Sequence, residues 1–352
     1  MVVDSFNLAW FSLTYQCNSR CKWCYAASNY YESSKNKNFD INRLPGLVSL
    51  FNELNLPRVT LIGGEPTVYP YLERVVGGLS KSGIKVGMVT NGRRLSDREC
   101  VRRLKKEGLL YATFSIEGSC PEIHDGTSQV NGSLYQALQG IENCHLEGLD
   151  VTSNTLISNL NVNDLERIVD LLLDVKVSKM SYNICGVCIT KDGNNDYMLD
   201  PRHAVSAFER VYSYAKSKGV RARLVTPMPW CNFSEERIGE LKEDKVLPGG
   251  PCHIVHGRNF VIDYNGDIVP CTHLTGYPLM NIFVNEEVIS GEEFVKLYNS
   301  QNAQKFRQMM ARYPSQKCVG CTENCVGGCP LYWTKFDPDE QIRGFAQISE
   351  KI

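Results

Sequence analysis

The chain has 352 residues, 43% of them hydrophobic, with 38 lysines and arginines against 39 aspartates and glutamates. That length and apolar share suit one large domain, or a large and a small one, and the balanced charge announces neither nucleic acid nor an anionic membrane as a partner. The opening stretch MVVDSFNLAWFSLTYQC has no basic segment and no apolar run of spanning length, which argues against a signal peptide or membrane anchor and predicts a cytoplasmic protein.

From residue 6 to about 186, short β-rich runs alternate with longer amphipathic ones at the spacing of βα units. Strands are predicted at Phe6–Thr14, Arg58–Gly63, Lys85–Asn91, Tyr111–Gly118, Asp150–Ser158 and Lys179–Gly186, and helices at Asn163–Val175 and Asp200–Ser217. Most of these strands end in small polar residues or glycine. In parallel sheets ligands bind at the carboxyl edge, so those ends mark the expected site. Six units are too few for a closed eight-stranded barrel. The expected fold is therefore α/β, a partial (βα)6 TIM-like barrel over residues 1–220, with a flat open sheet as the other arrangement the periodicity allows. Beyond about residue 220 the pattern breaks into Pro, Gly and Cys punctuation, and a small cysteine-rich domain is expected over 221–352. Within it Asn265-Gly266 reads as the turn of a hairpin that carries Cys271 at its end, and one helix is expected from Glu292 to Arg312.

Fifteen cysteines in such a chain form either a secreted disulfide scaffold or a set of metal-binding thiolates. The missing export signal and the clustering favour metal. Cys17, Cys21 and Cys24 follow the first strand on one loop, at a spacing that can hold three irons of a cubane and leave the fourth without a protein ligand; a structural zinc loop is the alternative.

The Cys17–Cys21–Cys24 spacing, with Trp23 just before the last cysteine, resembles the signature of the radical S-adenosylmethionine superfamily. The resemblance implies a 4Fe–4S cluster that chelates S-adenosylmethionine and cleaves it reductively to a 5′-deoxyadenosyl radical. Gly63-Gly64-Glu65-Pro66 at the end of the second strand matches the family segment that meets the methionine amino group. Here the glycines would admit backbone close to the ligand and Glu65 would accept from its ammonium. Asn91, Ser115 and Glu117, at the ends of the third and fourth strands, resemble family positions lining the nucleoside and methionine portions. His124-Asp125 resembles another family feature, but where the arginine is expected a few residues later the chain has Ser128, Gln129 and Val130. Arg93 and Arg94 are the substitutes at hand.

Cys252, Gly266, Cys271, Cys318, Cys321, Cys325 and Cys329 resemble the SPASM/twitch extension, which implies one or two auxiliary 4Fe–4S clusters. By analogy Cys252, Cys271 and Cys329 would bind the nearer cluster, with Cys231 as a candidate fourth ligand, and Cys318, Cys321 and Cys325 the outer one, with a non-cysteine or vacant fourth site. A single cluster on Cys252, Cys271, Cys318 and Cys321, or two zinc knuckles, are the alternatives. Cys185 and Cys188 end the sixth strand, where a thiol facing the chamber would donate a hydrogen atom or an electron. The expected activity is hydrogen abstraction from a ribosomally made peptide. A small-molecule dehydrogenase acting on a sugar or cyclitol alcohol is the second reading, and a noncatalytic scaffold the third. Peptide work would call on a separate leader-peptide-binding protein, since few residues precede the first strand, and an electron donor such as flavodoxin or ferredoxin is expected in either case.

Overall fold

The computed structural model of the protein describes residues 2–24, 37–187, 196–248, 252–312, 314–321, 323 and 325–344. Seven parallel strands lie side by side in chain order: β1 (Leu8–Ser12), β2 (Arg58–Ile62), β3 (Lys85–Thr90), β4 (Leu109–Ser115), β5 (Asp150–Ile157), β6 (Lys179–Ile184) and β7 (Arg221–Leu224). Three short strands follow: β8 (Asn259–Ile262), β9 (Asp267–Val269) and β10 (Met280–Asn281). They extend the same sheet on the far side of β1, in the order β10-β9-β8-β1-β2-β3-β4-β5-β6-β7. The sheet ends at β7 on one side and β10 on the other, so the barrel is partial.

The six strands read from the sequence are present, each within a few residues of its expected bounds. The addition is β7, whose residues Arg221 to Leu224 pair with Lys179 to Tyr182. Its two arginines hide it from a search for apolar alternation. Both stand on the exposed side while Ala222 and Leu224 are fully buried.

Each strand presents one face to the helices and the other to the barrel interior. Ala112 and Phe114 of β4, Val151 of β5, and Met180 and Tyr182 of β6 enter one buried core with Ile168, Val169, Phe208 and Val211 of the covering helices. The larger aliphatic and phenylalanine side chains among these contribute about 1.5–3 kcal/mol each when fully removed from water. The helix Pro201–Ser217 begins where its sequence says it should: the Asp200 side chain accepts from the backbone N–H groups of Arg202 and His203, and Pro201 occupies the first turn.

The hairpin reading also holds. Gly266 turns the chain at φ 85°, and β8 pairs antiparallel with β9. β8 itself runs parallel to β1, Leu8 facing Asn259 and Trp10 facing Val261. The single helix expected from Glu292 to Arg312 is instead two, Gly291–Tyr298 and Gln301–Met310. The break comes from Asn299, whose side chain accepts from Val3 N–H at 2.8 Å and donates to the Val3 carbonyl at 2.7 Å, and from Ser300, which caps the second helix. No disulfide joins any of the described cysteines, and among the described residues no helix is long and apolar enough to cross a membrane.

Candidate active site

The cysteine loop leaves the carboxyl end of β1 and is seated almost wholly by backbone. Arg20 N–H bonds to the Ser128 carbonyl at 2.9 Å and Lys22 N–H to the Thr127 carbonyl at 3.0 Å, while Gly64 N–H and Glu65 N–H reach the carbonyls of Thr14 and Gln16 at 2.7 and 2.8 Å. Gly63 and Gly64 also have a task within the chain. A Cβ on Gly63 would strike the Thr14 carbonyl oxygen, and one on Gly64 the Gln16 carbonyl oxygen. The glycines admit the cysteine loop itself, because residues 14–16 lie directly on them.

Glu65 is 1% exposed. Its Oε1 accepts from the Thr67 N–H, the Thr67 hydroxyl and the Thr90 hydroxyl, and its Oε2 from the Asn91 N–H at 2.8 Å. Burial raises its pKa against these bonds. The carboxylate thus fastens β2 to β3, and only Oε2 keeps a lone pair to spare. Asn91 turns its side chain onto the cysteine loop, donating to Asn18 Oδ1 at 2.7 Å. Arg93 donates to the Asn18 carbonyl and, through Nε, to Gln136 at 2.7 Å.

Glu117 is the group the sequence undersold. It is 4% exposed, its Oε2 accepts from Leu156 N–H at 2.9 Å, and its Oε1 is buried with no partner. Burial pushes its pKa up to about 8. Its own N–H is held by His124 Nδ1 at 3.1 Å, and burial keeps that imidazole neutral by lowering its pKa to about 4. Asp125 has a different task, accepting from Gly132 N–H, Ser133 Oγ and Leu134 N–H at the start of the next helix.

The three loop thiols stand near one another. Burial, then the Glu65 carboxylate, raises Cys17 to about 12, with Cys24 adding to it. Burial, then the charges of Cys24, Cys17 and Glu117, raises Cys21. Such mutual effects require proximity. Trp23 Nε1 is a second buried polar atom without a partner. A loop of three thiols flanked by the orphaned Oε1 of Glu117 and the orphaned Nε1 of Trp23 fits a cluster with one unligated iron and a polar ligand beside it.

Ser115 begins a polar row that the register draws across the sheet. Ser115 faces Asn154, Asn154 faces Ser181, and Ser181 faces Arg223. These residues stand on the face opposite Phe114 and Tyr182, toward the barrel interior. Asn183 Nδ2 donates to Asn154 Oδ1 at 2.8 Å, and Thr226 Oγ1 to Asn183 Oδ1 at 3.0 Å. Cys185, just beyond β6, is 3% exposed, and its carbonyl accepts from the Tyr332 hydroxyl at 3.0 Å; it sits at the seam with the C-terminal module. Cys188 lies outside the described residues.

The remaining thiols fall into two groups. In the inner one, burial and the neighbouring Cys329 and Cys271 raise Cys252, and burial with Cys271 raises Cys329 to about 12. The ring of His273, two residues past Cys271, packs where a Cβ on Gly186 would lie 2.8 Å away, so this group abuts the end of β6. In the outer one, burial followed by Cys231, Cys325 and Cys321 raises Cys318 to about 11. The expected grouping therefore changes: Cys231 stands with the outer thiols. The sequence offered no signal for this, since β7 and the turn after it place Cys231. Among the described residues no three ligand side chains are close enough to hold a single metal ion. Each thiolate of a cubane meets a different iron, so its ligands spread wider, whereas structural zinc draws four to within about 2.3 Å of one centre.

A partial barrel with three thiols on the loop after its first strand defines a cluster-bearing α/β protein. The profile of the radical SAM superfamily matches residues 11–172, and the chain belongs to that superfamily. Residues 252–322 match SPASM, an iron-sulfur cluster-binding domain, so the chain is a SPASM-bearing member whose cofactors are 4Fe–4S clusters and S-adenosylmethionine. It is 30% identical over 236 residues to the Fe-coproporphyrin III synthase of Methanosarcina barkeri, spanning 66% of this chain and 58% of that one. It is 23% identical over 330 residues to the mycofactocin maturase MftC of Mycobacterium ulcerans, spanning 92% and 82%. SuiB of Streptococcus suis, solved with its precursor peptide SuiA, superposes with a TM-score of 0.72 at 16% identity, covering 97% of this chain and 75% of that one.

Proposed function

We propose that this protein removes a hydrogen atom from a peptide substrate held in the barrel interior, in the reducing cytoplasm, and is reduced by a flavodoxin or ferredoxin. The carrying observation is the convergence of Cys17, Cys21 and Cys24 beside the unpartnered Oε1 of Glu117 at the carboxyl edge of the sheet. Bound there, the cluster and S-adenosylmethionine supply one-electron chemistry that ends in abstraction of a substrate hydrogen. The chain's own part is to bind and orient. Cys17, Cys21 and Cys24 hold three irons. Glu117 offers its unpartnered Oε1 to a cationic ligand, whose charge would displace the proton that burial holds there, Glu65 has one lone pair left for an ammonium, and Asn91 and Arg93 fix the loop. The row from Ser115 to Arg223 lines the chamber with hydrogen-bonding groups for substrate.

Peptide chemistry is supported by the likeness to the maturase MftC along most of both chains and by the shared fold of SuiB, which was solved with a peptide. A small-molecule substrate is favoured by the more similar Fe-coproporphyrin III synthase. Arg223 suits a carboxylate in either reading, because among the described residues it has no ion-pair partner and stands level with Ser181. For a peptide substrate, a separate leader-binding protein completes the proposal.

Anaerobic incubation with S-adenosylmethionine and dithionite tests the activity. 5′-Deoxyadenosine is expected, and none from a fully loaded preparation overturns the reading. Cys24→Ala is expected to abolish its formation, because the loop then lacks one of the thiolates that would hold the cluster. Cys271→Ala is expected to keep uncoupled cleavage while abolishing product. A short open reading frame beside the gene, whose peptide is altered on incubation, decides for the peptide reading.

A further inference from the structure

Cys231 lies on the short turn Trp230–Asn232, outside the matched SPASM segment. It is 5% exposed, packs with Cys318 and Ile342 in one buried cluster, and has Trp333 against its side. Its seat is built by backbone. Cys329 N–H bonds to the Pro227 carbonyl at 2.9 Å. Gly328, at φ 87°, would carry a Cβ only 2.9 Å from the Pro229 ring, so glycine there lets the segment 325–329 lie flat on residues 227–231. Gly344 N–H points at Cys231 Sγ from 3.2 Å, the contact that a metal-bound thiolate receives from its protein surroundings. Cys231 and Cys318 are thereby buried together, and, after burial itself, Cys325 and Cys321 are near enough to raise the Cys231 thiol. In the inner group, burial, then Cys329 and Cys271, raises Cys252, and burial, then Cys271, raises Cys329. Beside it His253, whose Nδ1 is 3.9 Å from Cys252 Sγ, keeps a buried Nε2 without a partner.

We infer that Cys231, Cys318, Cys321 and Cys325 together form a complete four-thiolate site for one auxiliary 4Fe–4S cluster. The inner group, Cys252, Cys271 and Cys329, then holds the auxiliary cluster that has an iron without a thiolate. The assignment rests on the chain being an iron–sulfur protein, not on which substrate it attacks. Each of the four thiols releases its proton to solvent as it takes an iron of the formed cluster, a ligand exchange in which the iron keeps its oxidation state.

The test uses the full chain, anaerobically reconstituted with ferrous iron and sulfide, with iron, zinc and acid-labile sulfide counted and the reduced protein examined by electron paramagnetic resonance. Three clusters give about 12 irons per chain. Cys231→Ala is expected to bring this to about 8 while the signal that responds to added S-adenosylmethionine survives, which also shows that the barrel is folded. Cys231→Ser, nearly the same shape, is expected to retain iron but shift an auxiliary signal, because a hard oxygen replaces a soft sulfur. Unchanged iron and unchanged auxiliary signals in both variants overturn the assignment, as does zinc in place of the lost iron. A protein that carries all its clusters yet makes no 5′-deoxyadenosine would overturn the proposed activity and leave this site standing.

Discussion

The loop after β1 and the outer group of the C-terminal module both gather thiols, by opposite means. The loop takes three cysteines from one short segment and surrounds them with polar groups, Glu65, Glu117 and Asn91, two of whose neighbouring polar atoms are left unpartnered. The outer group takes four from segments far apart, with Cys231 and Cys318 packed against Ile342 and Trp333. A site that must accept an exchangeable ligand keeps an unfilled position and unmatched polar atoms, while a site that only holds its cargo is saturated, as with catalytic and structural metal centres generally.

That contrast breaks first at Gly64. Gly64→Ala places a methyl in the Gln16 carbonyl with backbone on both sides, so about 3 kcal/mol or more of stability should be lost. Thermal melting of the reconstituted protein checks this, and the loop's cluster should be lost before the outer one. The next lever is the buried Glu117. Its folded pKa of about 8 stands above the ordinary 4.5, so the fold favours the neutral acid. The stabilisation is complete below the ordinary value and is lost as pH rises toward 8. Between pH 5 and 7 the cofactor-free protein should lose about 2 kcal/mol relative to Glu117→Gln, measured by denaturant titration at each pH; parallel curves would refute it. The smallest effect lies on the other side. Lys242 pairs with Glu323 over the outer group, but the pair is partly exposed, and Glu323→Gln should change stability by about 0.5 kcal/mol or less and leave iron content alone.

Much of the barrel was legible because its strands are apolar runs closed by glycine or polar residues, and its helices carry their own caps, as at Asp200. The loop thiols were legible because three ligands on one segment need no tertiary knowledge. What escaped depends on distant packing. β7 is stabilised by its neighbour β6 rather than by its own Arg-Ala-Arg-Leu sequence. The close approach of Gly63 and Gly64 to residues 14–16 joins segments far apart in sequence. Glu117 reads as one polar strand end among several until burial isolates its Oε1, and the company Cys231 keeps is fixed by the turn after β7.

The parallel pairing of β8 with β1 governs when the molecule can be assembled. One edge of β1, the strand that presents the cysteine loop, finds its neighbour only at Asn259, which the ribosome delivers about 250 residues later, on the order of 10 s to a minute at ~5–20 residues per second. Throughout that interval the nascent chain carries an unpaired strand edge beside three reactive thiols, open to misplaced strand addition and to oxidation. Closure of that edge therefore waits on synthesis of the C-terminal module, whereas the loop's own seat, at Gly64, Glu65, Thr127 and Ser128, is made earlier.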